Sequence, residues 1–281
     1  MTNTEPIIRL AGVRKVFDGQ AVLDDVDLAI SPGKTTVVIG PSGCGKSVLL
    51  KHIIGLLKPD RGRVFFRTPG FEGGREQEIT TMSERRLTKV RRHMGFLFQG
   101  SALFDSMTVE QNISFPLTEH GVGEPQWCRQ RCREVLMLVG LDGAQRKYPE
   151  ELSGGQKKRV ALARAIALGP EVILYDEPTT GLDPIRADLI NELILKLQRA
   201  LGTTAVVVTH DMHSACKVGD RIVMLHEGRF ILDTTPDGLD KVDNQIVARF
   251  VQGLASEKEL AELESGHFTN SEPAEVKGDK T

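Results

Sequence analysis

Long hydrophobic runs are missing from this 281-residue sequence, and no stretch approaches the length that spans a bilayer as a helix. A helical membrane-spanning protein is therefore not expected. The opening "MTNTEPIIRL" has neither a basic n-region nor an apolar h-region, so no signal peptide is expected either. Cysteine is scarce, and Cys44, Cys128, Cys132 and Cys216 show no disulfide-framework spacing. A formal net charge of −2 is not the basic excess that nucleic-acid binders carry, so no nucleic-acid partner is expected. What survives these absences is a soluble, reduced, cytoplasmic protein, long enough for one large domain or one with an insertion. The stretch "CRQRC" (128–132) places two thiols at i, i+4, but a metal site needs more ligands and the nearest histidine is His120. Buried or idle thiols are the simpler reading.

The pattern along the chain alternates. "IIRLAGVRKVF", a turn at Asp18-Gly19 and "AVLDDVDLAI" read as strands. "TTVVIG" is a short β-branched run ending in glycine, and "KSVLLKHIIGLL" has helical apolar spacing. Residues 67–80, "RTPGFEGGREQEIT", are Gly-rich and polar and predict a surface loop; "SERRLTKVRRH" predicts a short basic helix before the strand "MGFLFQ". Residues 108–150 are helical in pattern and predict an insertion. Helix and strand then alternate through "EVILYDEP", a helix over 184–201, "TTAVVVTH" and "DRIVMLHEGRFIL", which implies a parallel sheet with right-handed crossovers. Residues 256–281 are acidic and poor in large apolar side chains, and are expected to fray or be disordered.

Two separate stretches offer a grip for phosphate. "GPSGCGKS", Gly40 to Ser47, fits G-x-x-x-x-G-K-[ST] after a strand and at the start of a helix. Gly40, Gly43 and Gly45 would let the backbone N–H groups of the loop wrap a β-phosphate, with Pro41, Ser42 and Cys44 spacing them. Lys46 would reach the β- and γ-phosphates, the Ser47 hydroxyl would bind Mg²⁺, and Val48 follows in the same turn. Cys44 is a loop filler by default, though a thiol among N–H groups invites alkylation. "LSGGQKKRVALARA" (152–165) pairs Ser153, Gly154, Gly155 and Gln156 with a helix N-terminus, a second place where free N–H groups and the dipole favour an anion.

Other candidates lie at strand ends. Asp176 and Glu177 close "VILYDEP"; alone they are a common solvated rim, but beside a phosphate loop one carboxylate can hold hydrated Mg²⁺ and the next can orient water. His210 and Gln99 close their strands in the same way, at the carboxyl ends where α/β sheets bind ligands. Phe17 is a core residue by default and a platform for adenine once a nucleotide is granted. Arg85, Arg86, Lys89, Arg91 and Arg92 read most simply as a solvated helix face, with a lipid-headgroup role as the alternative.

As an ordered set over roughly residues 7–235, these motifs resemble the ATP-binding subunits of ABC transporters. The resemblance implies an α/β P-loop NTPase with a mainly parallel core sheet, an N-terminal antiparallel β-subdomain and a helical subdomain inserted at about 104–165. It implies an ATPase domain over 7–253 and an acidic tail, flexible or partner-binding, over 254–281. ATP and Mg²⁺ are the implied cofactors. Phe17 is implied as the adenine-stacking aromatic, Gly40–Val48 as the phosphate loop, and Gln99 as a sensor of the γ-phosphate and Mg²⁺. Ser153, Gly154, Gly155 and Gln156 are implied as the signature, Asp183 as the D-loop, Asp176 as the metal carboxylate alongside Ser47 and Gln99, Glu177 as the base, and His210 as the switch. In such proteins two copies meet head to tail, and each signature caps the nucleotide held by the other copy's loop, so two grips in one chain serve two ATP molecules.

A narrower similarity lies in "FQGSALFDSMTVEQNISFPL", which resembles the ATPases of Mce-type lipid transporters of the MlaF kind. It implies an integral membrane permease, an Mce-domain lipid-binding protein, a small cytoplasmic accessory subunit, and a place at the cytoplasmic face of the inner membrane. The departures are modest: "QGS" in place of a "QSG"-like order, a long 67–80 loop, and Val48 where Thr or Ser is usual. Small-solute import and permease-independent action are the alternatives. Leu103, Phe104 and Met107 either pack the insertion onto the sheet or line a groove for a permease helix.

Overall fold

The structure is a computed structural model that describes residues 5–255 and 260–261. The expectation for the 256–281 tail therefore lies almost wholly outside the described residues.

Two sheets form the frame. β1 (Ile8–Phe17) and β2 (Gln20–Ile30) pair antiparallel, joined by Asp18 and Gly19 at φ +48° and +81°. Two positive φ values in a two-residue loop match the twist of a tight hairpin, and glycine at the second position removes half of the strain. β4 (Arg61–Phe66) pairs antiparallel with β1, and the short β5 (Gln77–Glu78) pairs with β4, giving the order β2-β1-β4-β5.

The second sheet contains β3 (Thr35–Ile39), β6 (Met94–Leu97), β7 (Val172–Asp176), β8 (Thr204–Thr209), β9 (Arg221–His226) and β10 (Arg229–Thr234). Its order is β10-β9-β3-β8-β7-β6, parallel throughout except for the antiparallel edge pair β10–β9. Every residue of β3, β7 and β8 is buried. That is why these segments read as continuous β-branched runs: a parallel sheet covered on both faces has no polar side to alternate with.

Helix α1 (Lys46–Ile53) lies between the two sheets, where Leu49, Leu50 and Ile53 join Val38, Leu174 and Val206 of the parallel sheet and Leu10, Leu28 and Phe66 of the antiparallel one. The opposite face (Val37, Ile39, Ile173, Val207) packs under α3 (Val109–Glu119), α4 (Pro125–Leu138), α5 (Gly154–Ile166), α6 (Pro184–Leu201) and α7 (Met212–Val218). Helices α3, α4 and α5 pack on one another and form the helical insertion. The short α8 (Gln245–Val251) closes the described fold. Among the described residues no helix is long and apolar enough to cross a membrane.

The expected surface loop at 67–80 is corrected. Thr68, Phe71 and Ile79 are buried, β5 adds a strand to the antiparallel sheet, and Phe71 stacks near Phe66 and His93 at 6.4 and 5.7 Å. The expected basic helix is α2 (Glu84–Arg91), and Arg85, Arg86, Lys89 and Arg92 are exposed. Arg91 departs from the solvated reading: it is half-buried and donates to the carbonyls of Ile54 and Gly55 at 3.2 and 2.8 Å. Those are the orphan carbonyls at the end of α1, so Arg91 caps that helix. Of the paired thiols, Cys132 is buried and Cys128 half-buried, its Sγ 3.4 Å from the Val122 carbonyl.

Candidate functional site

The topology places β3, β8, β7 and β6 side by side, so their carboxyl ends deliver four loops to one edge of the sheet. Residues 40–47 leave β3, His210 follows β8, Asp176 ends β7 with Glu177 next, and Gln99 lies two residues past β6. Ligands of open α/β sheets bind outside such strand ends.

The loop after β3 is built for close backbone approach. Gly40 has φ +152°, and a Cβ there would lie 2.2 Å from the Leu225 carbonyl oxygen. Gly45 has φ +103°, and a Cβ there would meet Val22 at 2.9 Å. Gly45 also begins α1 with no side-chain capping bond, so the first N–H groups of that helix are offered to an anion. Pro41, Ser42 and Gly43 form the turn between, closed by a Cys44 N–H to Pro41 carbonyl bond of 3.3 Å. Lys46 is buried; its Nζ donates to the carbonyls of Gly40 and Pro41 at 2.8 and 2.9 Å and stands 3.7 Å from a Glu177 carboxylate oxygen. Val48 packs partly against the core around α1. Burial pushes the Cys44 thiol above its ordinary value, against the pull of Lys46, which favours the loop-filler reading.

The Ser47 hydroxyl donates to Asp176 at 2.7 Å. Burial pushes the Asp176 carboxyl up, and the Ser47 bond opposes it. A buried carboxylate disfavoured by its surroundings, beside a hydroxyl, is a place where a divalent cation restores the charge balance. Among the described residues no group of three or more His, Cys, Asp or Glu side chains could hold a metal unaided. A Mg²⁺ held by Ser47 and Asp176 would need the rest of its oxygen ligands from phosphate and water, the usual arrangement for that ion.

Glu177 is 7% exposed and sits at φ +47°, a conformation non-glycine residues adopt at a cost of roughly 1–3 kcal/mol. Its carboxylate lies 2.9 Å from His210 Nδ1 and accepts from the Thr180 hydroxyl at 3.1 Å. His210 is half-exposed, so it faces both the carboxylate and solvent. Gln99 is exposed, and its carbonyl accepts from Lys158 at 2.7 Å. Phe17 stands beside the turn of the β1–β2 hairpin, half-exposed, with Lys15 Nζ 5.3 Å from its ring centre. It belongs to neither apolar core, which removes the default reading of a core residue.

The second grip stands apart. Ser153 caps α5: its hydroxyl accepts from the Gln156 N–H at 3.4 Å while the Gln156 side chain accepts from the Ser153 N–H at 2.9 Å, a reciprocal capping box. Gly154 and Gly155 keep that turn bare, with Leu182 and Arg186 each 3.8 Å from the Cβ they lack. Asp183 caps α6, accepting from the Arg186 N–H at 3.0 Å. Among the described residues, the hydrogen bonds of Ser153 and Gln156 stay within their own turn. The chain thus assembles Lys46, Ser47, Asp176, Glu177 and His210 by itself, while Ser153 and Gly154 of the second turn stay exposed.

Four residues that the sequence reading did not single out take part: Thr180 on the Glu177 carboxylate, Lys158, Arg164 and Asn112. Asn112 is fully buried and bonds Phe104 at both its N–H and its carbonyl, at 2.9 and 3.1 Å. That fixes the segment in which Leu103 packs on the core, while Phe104 stays 40% exposed against Phe115 at 4.7 Å.

A phosphate loop at the end of a central parallel strand, with an Asp closing the strand two places away and a Glu directly after it, defines a nucleotide-binding P-loop protein. The ABC transporter family profile matches residues 23–180, and the chain belongs to that family. It is 37% identical to "Probable ribonucleotide transport ATP-binding protein mkl" of Mycobacterium leprae over 96% of this chain and 80% of that one. To "Intermembrane phospholipid transport system ATP-binding protein MlaF" of Haemophilus influenzae it is 39% identical, over 83% and 86%. It is 40% identical to "Sulfate/thiosulfate import ATP-binding protein CysA" of Mesorhizobium japonicum, over 89% and 68%. Among solved structures, the dimeric ATP-binding cassette MJ0796 in a post-hydrolysis state bound to ADP and Pi superposes with a TM-score of 0.72 at 34% identity, covering 82% of this chain and 98% of that one. The expected fold is the one found, and the chain is an ABC-type ATPase.

Proposed function

We propose that this chain is the ATP-hydrolysing subunit of a transporter that moves phospholipid through a membrane permease of the Mce/Mla type. Residues 7–253 form the ATPase domain, with 104–165 as its helical insertion and 254–281 as a separate tail. In this reading the Gly40–Val48 loop and Lys46 hold the β- and γ-phosphates, and Phe17 carries the adenine. Ser47, Asp176 and Gln99 hold Mg²⁺, which when bound neutralises charge developing on the transferred phosphoryl group. Glu177 orients the attacking water, and His210 holds the far side of the carboxylate that does so. The signature turn, Ser153–Gln156, together with Asp183, completes the site of a second copy, so that the working unit is a head-to-tail dimer. The subunit sits at the cytoplasmic face of the inner membrane, attached through its permease, with an Mce-domain lipid-binding protein and a small accessory subunit in the same assembly.

The single observation that carries the lipid assignment is the segment following Gln99, "ALFDSMTVEQNISFPL", together with relatives named for phospholipid transport at 38–39% identity. A relative named for sulfate import at 40% identity favours the second reading, import of a small solute. Co-purification separates them. The lipid reading expects the chain to bring down an integral membrane permease whose detergent-solubilised complex carries phospholipid, with ATPase activity raised by added phospholipid. Recovery with a permease whose ATPase responds to a small anion and not to lipid would overturn it.

A further inference from the structure

Lys158 lies five residues into the signature helix, in "GGQKKRV", a stretch that looks solvated, yet it is only 5% exposed. Its ammonium donates to two backbone carbonyls, Gln99 at 2.7 Å and Glu177 at 3.1 Å. A buried ammonium is costly unless its N–H groups are matched, and here they are matched to residues leaving two adjacent strands, β6 and β7. Burial pulls the Lys158 ammonium down from its ordinary value, and the carboxylates of Glu177 and Asp176 pull it back.

Both loops have backbones that need holding. The left-handed Glu177 is pinned on one side by its N–H to the Val208 carbonyl at 2.9 Å and on the other by Lys158. Beyond Gln99, Ser101 and Ala102 sit at φ +64° and +47°. Their carbonyls accept from Arg164, at 3.0 and 2.8 Å, and Arg164 lies on the same helix as Lys158. One helix therefore presents the signature at its N-terminus and grips, through two buried or half-buried cations, the backbones of the loops after β6 and β7.

We propose that Lys158 is a positioning residue, which by holding the Glu177 and Gln99 carbonyls aims the candidate base and the γ-phosphate sensor. It thereby ties the signature helix, which serves the partner's nucleotide, to the hydrolytic site of its own chain. The proposal rests on the reading of Glu177 as the base. Without the ammonium two carbonyls lose a partner, Glu177 relaxes from its positive φ, and the carboxylate shifts; a misplacement of about 1 Å at a reacting group costs on the order of 10²-fold in rate.

The test measures ATP hydrolysis by the full chain with Mg-ATP, in the wild-type and Glu177→Gln backgrounds. Lys158→Met should lower kcat about 10- to 100-fold while KM for ATP moves less than about threefold, because the phosphate loop is untouched. Lys158→Arg, able to reach both carbonyls, should recover most of the loss. In the Glu177→Gln background Lys158→Met should cost less than about threefold more, since both changes act on one group. Should the Met variant not fold, Lys158→Gln, which keeps two N–H donors, takes its place in the same cycle. The proposal is overturned by a folded Lys158→Met with near-wild-type kcat, by an equal loss in both backgrounds (plain packing), or by a folded Arg variant as slow as Met. Full activity of Glu177→Gln alone would instead overturn the base assignment, a separate result.

Discussion

Asn112 makes the rigidity of the segment after Gln99 measurable. Its side chain is fully buried, its Oδ1 accepts the Phe104 N–H at 2.9 Å, and its Nδ2 donates to the carbonyls of Phe104, Met107 and Thr108, each at 3.1 Å. Phe104 and Thr108 carbonyls have second partners in the Met107 and Asn112 N–H groups. The Phe104 N–H and the Met107 carbonyl depend on the side chain. Asn112→Ala therefore strands two backbone groups and opens a small cavity. At about 1 kcal/mol for each bond lost outright, and about 1 more for the cavity, the cost is roughly 2–4 kcal/mol. Asn112→Asp keeps the acceptor for Phe104 but turns a carboxylate oxygen toward three carbonyls, so its cost at neutral pH should match or exceed that of Ala. Protonating the carboxyl restores a donor, so the Asp variant should regain stability as pH falls toward 4 while the Ala variant does not. Urea unfolding of the full chain at pH 7 and pH 5 reads both. A midpoint unchanged in Asn112→Ala would refute the reasoning, as would an Asp variant as stable as wild type at pH 7.

Ser153→Arg should leave ATP binding by the isolated chain intact and abolish ATP-driven pairing, read by light scattering with ATP in the Glu177→Gln background; pairing that persists would sink the trans-capping arrangement. Cys44, its thiol pushed up by burial, should react with iodoacetamide more slowly than a free peptide thiol at pH 7 and speed up as pH rises, and ATP should slow it further. An alkylation rate above the peptide's would contradict the burial. Phe104→Glu should leave the melt of the isolated chain nearly unchanged, because the ring is 40% exposed, but should break assembly with the permease; a melt lowered as for a buried aromatic would assign Phe104 to packing instead.

The motifs were legible because each is local: a glycine loop between a β-branched run and a helix, or a carboxylate pair closing a buried strand. Their convergence followed from the alternation of strand and helix, which places strand ends on one edge. What escaped was set by distant partners. The order of residues 61–66 comes from pairing with β1 some fifty residues earlier, and that of 77–78 from pairing with β4, neither of which the local pattern announces. Lys158 looked like one more charge on a polar helix start; only the loops after β6 and β7, folded over it, bury it. The positive φ of Glu177, Ser101 and Ala102 has no signature in residue type, since none of the three is glycine or asparagine. Thr180 likewise became a partner of Glu177 only through the turn that the strained backbone creates.

The central claim joins one carboxylate to lipid movement, and one measurement addresses it. The complex of this chain with its permease, reconstituted in proteoliposomes holding fluorescent phospholipid, is assayed for ATP hydrolysis and lipid movement together, as wild type and as Glu177→Gln. The account predicts that Glu177→Gln lowers hydrolysis about 10²- to 10⁴-fold, the scale of lost general-base help, with ATP still bound and lipid movement falling in step. Lipid movement that continues at the wild-type rate in Glu177→Gln, or wild-type hydrolysis that moves no lipid, would contradict it.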